Sequence, residues 1–326
     1  PKCYSRELFE YGVACLDNYM QYNNTLAGVV GNEVMNSLTA WRAAPCIKAY
    51  VRDLKRYMSQ QMDRNLPLLY TAQDNGIGAS VTAPQAMRLT ADYLSCQTEN
   101  YKRDSAIDIF GINVESWCSS TGSFEINDDG TIGTYFELWQ ALHNTSLALV
   151  FAEMGCAHSL FNRDNNIADK NRDWKQIPVV LNQMSDSWSG FCAYAYDGNV
   201  DFNMFRGGPW NGRDVLEPTQ DFDNFRHELA INGISVSNQM MLKTNEVPVC
   251  ENVVAEMESC CDGAFKENHI ELYDVDKIPS YQHRNVYSLA MDGSSDDDNF
   301  SVNHNKLSGT DTHGIVLIIA VVLLSV

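Results

Sequence analysis

A chain of 326 residues, 44% hydrophobic and 10% aromatic, can bury a large core, which excludes intrinsic disorder and leaves room for one big domain or two smaller ones. Its formal charge of −19, from 42 acidic against 23 basic side chains, opposes contact with phosphate backbones, so nucleic acid is not expected as a partner and a neutral ligand such as a glycan suits the surface better. Ten cysteines contain no CxxC pair, only the vicinal Cys260-Cys261, so zinc-type spacing is absent; no metal and no cofactor are expected.

Helix and strand patterns alternate along the chain. Residues 7–22 read as a helix and 26–32 as a strand. Residues 45–63 read as a helix with Pro45 in its first turn and Ile47, Tyr50, Val51, Leu54, Tyr57, Met58 and Met62 along one face. The apolar run "LPLLYTA" (66–72) is the next strand, 85–95 a helix, "AIDIFGIN" (106–113) a strand and 131–143 a helix. "LALVFAE" (147–153), a helix over 176–187 and "GFCAYAY" (190–196) complete five strands separated by helices.

After residue 200 the periodicity fades. Residues 221–230 read as one more helix, and 233–290 as a cysteine-containing extension with little periodicity that caps the barrel. Residues 291–313 read as a disordered polar linker rich in Ser, Asp and Asn. The final 13 residues, "GIVLIIAVVLLSV" (314–326), carry no charge but are short of the roughly 20 that a spanning helix needs. With the polar spacer before them and the small Ser308 and Gly309, they fit a GPI-attachment signal. Sequons at Asn23, Asn144 and Asn299 point the same way, toward an oxidised product on the outer face of the plasma membrane or in the cell wall. Residue 1 is Pro rather than Met, so a leader and further sequence are expected upstream.

Apolar strands alternating with amphipathic helices imply a parallel sheet covered on both faces, either doubly wound or closed as a barrel. No strand is followed by GxGxxG or GxxxxGK[ST], so nucleotide binding is not expected. Polar residues gather instead where strands end: Asn32-Glu33, Gln73-Asp74, Asn113, Glu153, and Tyr194, Tyr196 and Asp197. A TIM barrel places its chemistry there. Three more βα units, on the order of 100 residues, would complete eight strands. Residues 1–232 are therefore read as strands four to eight of a (β/α)8 barrel, an α/β fold whose first strand would otherwise present an open edge.

Two of the polar ends are carboxylates that close apolar strands, Glu33 in "AGVVGNEV" and Glu153 in "LALVFAEMGC". A buried charge without a partner costs several kcal/mol, so each has either surfaced or has work to do. Carboxylates facing each other across a barrel mouth suit glycoside cleavage, in which one protonates the leaving oxygen and the other attacks the anomeric carbon. The residue types leave open which does which.

"GVVGNEV", "DIFGINVESWC", "VFAEMGC" and "WSGFCAYAY", in this order and spacing, resemble glycoside hydrolase family 72, the GPI-anchored β-1,3-glucanosyltransferases of fungal-type cell walls. The resemblance covers roughly residues 7–230. It implies that Glu33 is the acid/base and Glu153 the nucleophile. Asn32 would meet a sugar 2-hydroxyl, and Tyr194 and Tyr196 would be an aromatic pair on the last strand. Asp74, Asn113 and Trp117 are further candidates for substrate contact, with Trp188 and Trp210 as possible stacking rings. Disulfides Cys118–Cys156 and Cys96–Cys250 are implied as well.

One position departs from the pattern: Glu115 stands where the family has a Tyr that bonds the nucleophile. A third carboxylate near Glu153 exchanges a donor for an acceptor and raises the pKa of one of the two, unless Glu115 turns to solvent. The implied activity is retaining transfer of a glucan chain, with β-1,3-glucan as both donor and acceptor and the plasma membrane engaged through a lipid anchor. A hydrolase with the same residues, or an anchored glucan-binding protein without turnover, remain alternatives.

Overall fold

The computed structural model describes residues 4–37, 39–74, 81–97, 105–115, 124, 132–157, 171–196, 202–207, 215–232 and 246–260. Its centre is a five-stranded parallel sheet in sequential order: β1 (Gly28–Asn32), β2 (Leu68–Gln73), β3 (Ile109–Val114), β4 (Ala148–Met154) and β5 (Trp188–Ala193). Each crossover carries a helix: α2 (Ala44–Gln61) after β1, α3 (Ala83–Ser95) after β2 and α4 (Thr134–Leu142) after β3, while α1 (Arg6–Tyr19) precedes the sheet. Sequential parallel order with helical crossovers is a run of βα units from a (β/α)8 barrel, and among the described residues β1 and β5 each have one neighbour.

The helices start where the chain offers a cap or a pre-set φ. Ser5 accepts the Leu8 N–H at 3.3 Å to open α1, and Pro45 and Pro84 sit in the first turns of α2 and α3, where a missing N–H costs nothing. One face of α2, including Ile47, Tyr50, Val51, Leu54 and Met58, is buried in the same core as the outward side chains Leu68, Tyr70, Phe110, Ile112, Leu149 and Phe151 of the sheet. The inward side chains Val29, Leu69, Ile109 and Val150 pack as a separate apolar floor. Period-two alternation thus gives each strand an outer face for helices and an inner face for the barrel interior.

Three expectations are corrected. The helix expected over 176–187 is a single turn, α5 (Gln176–Pro178), that widens into a π turn over Val179–Gln183, closed by the Met184 N–H to the Val179 carbonyl at 3.0 Å. The last strand ends at Ala193, not at residue 196. Tyr194 makes the final bond to β4, donating its N–H to the Met154 carbonyl at 2.9 Å, and Ala195 and Tyr196 then pair with the backbone around a hairpin of β6 (Phe205–Gly207) and β7 (Leu216–Pro218). Helix α6 (Gln220–Ile231) follows.

The third correction concerns the extension. Its described part, residues 246–260, forms a helix where little periodicity was expected, α7 (Cys250–Cys260), which packs on α3. A disulfide joins Cys96 to Cys250, with Cα atoms 5.0 Å apart across 154 residues of chain. Gln97 donates to the Pro248 carbonyl at 3.2 Å, and Val253 and Met257 enter the core. Periodicity alone missed α7 because only a few residues of this short helix are apolar. Among the described residues no helix is long and apolar enough to cross a membrane, and 314–326 lie outside them.

Candidate active site

Above the apolar floor, the inner face narrows to a layer of small side chains. A Cβ added to Gly111 would stand 3.0 Å from the Ala152 Cβ and 3.0 Å from the Thr71 Cγ2, so a larger residue there would have to push its neighbours aside by a few tenths of an ångström. Over this layer, at the carboxyl ends of the strands, the inward positions turn polar.

Two register irregularities aim the carboxylates. Between β3 and β4 the pairing shifts after Ile112, so Asn113 faces Glu153 and Ala152 is passed over. Without that bulge, alternation would send Glu153 to the outer face behind Ala152. Between β1 and β2 the pairing shifts between Val29 and Gly31, which sets Asn32 opposite Thr71. Glu33 then leaves the strand with φ 53°, in the left-handed region, while its N–H still bonds the Thr71 carbonyl at 2.9 Å. That conformation costs a non-glycine residue about 1–2 kcal/mol.

Asn113 ties the two ends together. Its Nδ2 donates to Glu33 Oε1 at 2.8 Å and to Asn32 Oδ1 at 3.1 Å, and Thr71 Oγ1 donates to the same Asn32 oxygen. With its oxygen held twice, Asn32 presents its NH2 donors elsewhere. Behind the turn, the buried Tyr70 hydroxyl accepts the Met35 N–H at 2.9 Å. Tyr70→Phe strands that buried N–H and lowers stability by about 1–2 kcal/mol, as urea unfolding would register.

The electrostatics centre on Glu153. Burial first, then the charges of Glu115 and Glu33 and a carboxyl–carboxyl hydrogen bond with Glu115, push its pKa up to about 7. Glu115, just past β3, is also raised, by burial and then by Asp74 and Glu33, with its bond to Glu153 and the charge of Arg172 acting in the opposite sense. Glu115 itself is half-buried. Cys192 on β5 also faces Glu153. Burial and that neighbouring charge push its thiol up to about 12, which leaves it unreactive at neutral pH.

Asn32, Glu33, Asp74, Asn113 and Glu153 are thus gathered at one rim. Tyr194 and Tyr196 lie on the loop beyond β5, Tyr194 edge-on to Phe202 at 5.1 Å and Tyr196 exposed and packed on Phe205 at 4.6 Å. Trp188 is buried against Phe151 in the outer layer, which removes it as a stacking ring. Trp117, Cys118, Asp197 and Trp210 fall outside the described residues, while Cys156 is disulfide-bonded. Among the described residues no three His, Cys, Asp or Glu side chains are placed to hold a metal ion.

Sequence reasoning passed over Thr71, Tyr70 and Arg172. Thr71 had a signal, as the polar residue at an inward position of "LLYTAQ". Arg172 had none. It lies buried in the segment between β4 and α5, where its guanidinium bonds Asp221 and the carbonyls of Cys156 (3.1 Å), Tyr194 (2.7 Å) and Phe202 (2.6 Å), and its backbone N–H donates to Asp221 Oδ1 at 2.9 Å. The loops after β4 and β5 are held together by this one side chain. A Cβ at Gly155 would meet the Tyr194 carbonyl oxygen at 2.6 Å, so the close approach also requires glycine.

A sequential parallel sheet, helices on its outer face and carboxylates on its carboxyl-terminal rim together define the (β/α)8-barrel class with its site at the strand ends. Within that class the chain belongs to the glucanosyltransferase family, glycoside hydrolase family 72, whose family model matches residues 1–232. It is 30% identical over 230 residues to the 1,3-beta-glucanosyltransferase GAS5 of Saccharomyces cerevisiae, a match covering 70% of this chain and 41% of that protein. The crystal structure of ScGas2 in complex with compound 9 superimposes with a TM-score of 0.58 at 25% identity, over 75% of this chain and 50% of that one. A Saccharomyces cerevisiae Gas2p variant in complex with laminaritetraose and laminaripentaose shares the fold, with a TM-score of 0.54 at 24% identity over 70% and 44% of the two chains. The chain spans about two fifths of the length of its GAS5 relative.

Proposed function

We propose that this chain carries the catalytic rim of a retaining β-1,3-glucanosyltransferase. The observation that supports it most is the Asn113 bridge, which ties Glu33 to the face that Asn113 shares with Glu153 in a chain of this family. Glu33 protonates the glycosidic oxygen of the donor glucan as Glu153 attacks the anomeric carbon to form a glycosyl ester. Glu33, now a carboxylate, takes the proton from the hydroxyl of a second glucan chain as that chain displaces Glu153. Asn32 offers its amide donors to the sugar 2-hydroxyl, a bond that strengthens as the oxocarbenium-like charge develops. Tyr196, exposed on the loop after β5, supplies a ring face for a sugar, with Tyr194 beside it. Asp74 contributes a further contact at the rim, and Trp117 is a further candidate for substrate contact. The β-1,3-glucan specificity is supported by the name of the GAS5 relative.

The place of action is the cell surface, with anchorage to the plasma membrane by a lipid attached near Ser308 and loss of the 314–326 tail. This is supported by the polar spacer and uncharged terminal run. Incubation with a borohydride-reduced β-1,3-gluco-oligosaccharide, followed by mass spectrometry, tests the reaction. Products longer than the donor are expected; shorter products alone would indicate a hydrolase, and an unchanged donor a binding protein.

A further inference from the structure

The turn between α1 and β1 carries the sequon Asn23-Asn24-Thr25, which has no part in the reaction just proposed. The Thr25 N–H donates to the Tyr22 carbonyl at 3.1 Å, so Tyr22–Thr25 is a hydrogen-bonded β-turn with Asn23 and Asn24 at its centre. It is held from behind. Arg64, between α2 and β2, donates to the carbonyls of Tyr22, at 3.2 Å, and Thr25, while the hydroxyl of the buried Thr25 donates to the Tyr19 carbonyl at 2.7 Å. The front of the turn is open: Asn23 is exposed, and Tyr22, one residue before it, is 52% exposed. Asn144, the other sequon among the described residues, lacks this setting, since the ring before it, His143, is half-buried and stacks on Trp139 with centroids 4.6 Å apart.

We propose that Asn23 is N-glycosylated and that the exposed ring of Tyr22 seats the first N-acetylglucosamine of the glycan. The glycan is added to the unfolded chain, before the Thr25 hydroxyl is buried, from a lipid-pyrophosphate-linked oligosaccharide. Asn23 Nδ2 forms the bond to the anomeric carbon as that carbon's bond to the pyrophosphate oxygen breaks; the lipid pyrophosphate leaves and the amide gives up one proton. On folding, the turn fixes the linkage beside the ring. A sugar presents C–H groups on its face, and the electron-rich face of a phenol attracts them while both shed water. Because backbone bonds and Arg64 already close the turn, little ordering is left to oppose that contact. The site lies at the amino end of β1 and Glu33 follows its carboxyl end, so the length of the strand, about 13 Å, keeps the glycan away from the catalytic rim. The proposal rests on the cell-surface reading, because such glycans are added in the secretory pathway.

The full chain, expressed behind a secretory leader in yeast, tests both parts. Release of glycans by a peptide N-glycosidase in heavy-oxygen water, followed by peptide mass spectrometry, is expected to find Asn23 converted to heavy-labelled Asp. With the glycans trimmed to a single N-acetylglucosamine, the Tm should exceed that of Asn23→Gln by about 1–4 °C, the range for an aromatic contact in a domain of this size. In the Tyr22→Ala background the same comparison should keep less than half of that gap. An unmodified Asn23 in the secreted chain, no gap in Tm, or a gap unchanged by Tyr22→Ala overturns the proposal. A glycan on Asn23 of the leader-directed chain, with none on the chain its own cells make, would support the site and count instead against the surface reading.

Discussion

Glu153→Gln lowers transfer by at least about a thousandfold, because the covalent route has no other nucleophile, and the same substitution makes the folded chain more stable above pH 7. Burial and neighbouring carboxylates raise the Glu153 pKa from its ordinary 4.5 to about 7. An acid raised by folding is favoured in its protonated form, so its contribution is fully present below about pH 4.5 and is lost as the pH climbs through 7. Glutamine imitates the protonated form. The variant's advantage should therefore be near zero at pH 4.5 and reach about 1–3 kcal/mol at pH 8, the upper figure corresponding to the full shift and the lower to partial solvation. Urea unfolding at the two pH values reads it. Glu33→Gln should also cut transfer, by about 10²–10⁴-fold, the range for removing a general acid. A loss of activity with a gain of stability marks a group held at its site for chemistry.

Arg172→Leu should cost about 3–5 kcal/mol, since it leaves the Asp221 carboxylate buried and uncompensated and strips donors from three carbonyls. The double variant Arg172→Leu/Asp221→Leu should recover part of that loss, because the orphaned charge is gone, though not all of it, because the Cys156, Tyr194 and Phe202 carbonyls stay unpaired. Comparing denaturant midpoints of the two variants separates the contributions. Where the single variant still folds, kcat should drop too, because the loops after β4 and β5 carry Tyr194 and frame the Glu153 end of the rim. The Arg172 to Trp174 stacking, at 4.3 Å, adds to what is lost.

The alternation of strands and helices was plain in the sequence because each strand is an apolar run that stops on a polar residue, as at Asn32 and Glu153. The rim residues Asn32, Glu33, Asn113 and Glu153 could be picked out for the same reason. What brings them together could not. The bulge that skips Ala152 leaves no mark in "VFAEMG", since alternation predicts Glu153 on the wrong face and only the β3 pairing reveals the slip. Tyr194 and Tyr196 looked like strand residues because aromatic alternation continues past Ala193, whereas their backbone bonds go to the hairpin around Phe202 and Phe205. Arg172 was hidden in a polar segment whose partners lie 16 to 49 residues away. Glu115 was visible only as a departure from a pattern, and its bond to Glu153 needed coordinates.

The central claim is that Glu153, and not one of its carboxylate neighbours, attacks the sugar. A 2-deoxy-2-fluoro β-1,3-gluco-oligosaccharide bearing a good leaving group slows both chemical steps but still permits the first, so the glycosyl ester accumulates. After proteolysis, peptide mass spectrometry locates it. The label is expected on Glu153 alone; a label on Glu33 or Glu115, or turnover of the probe with no ester on any carboxylate, would contradict the account.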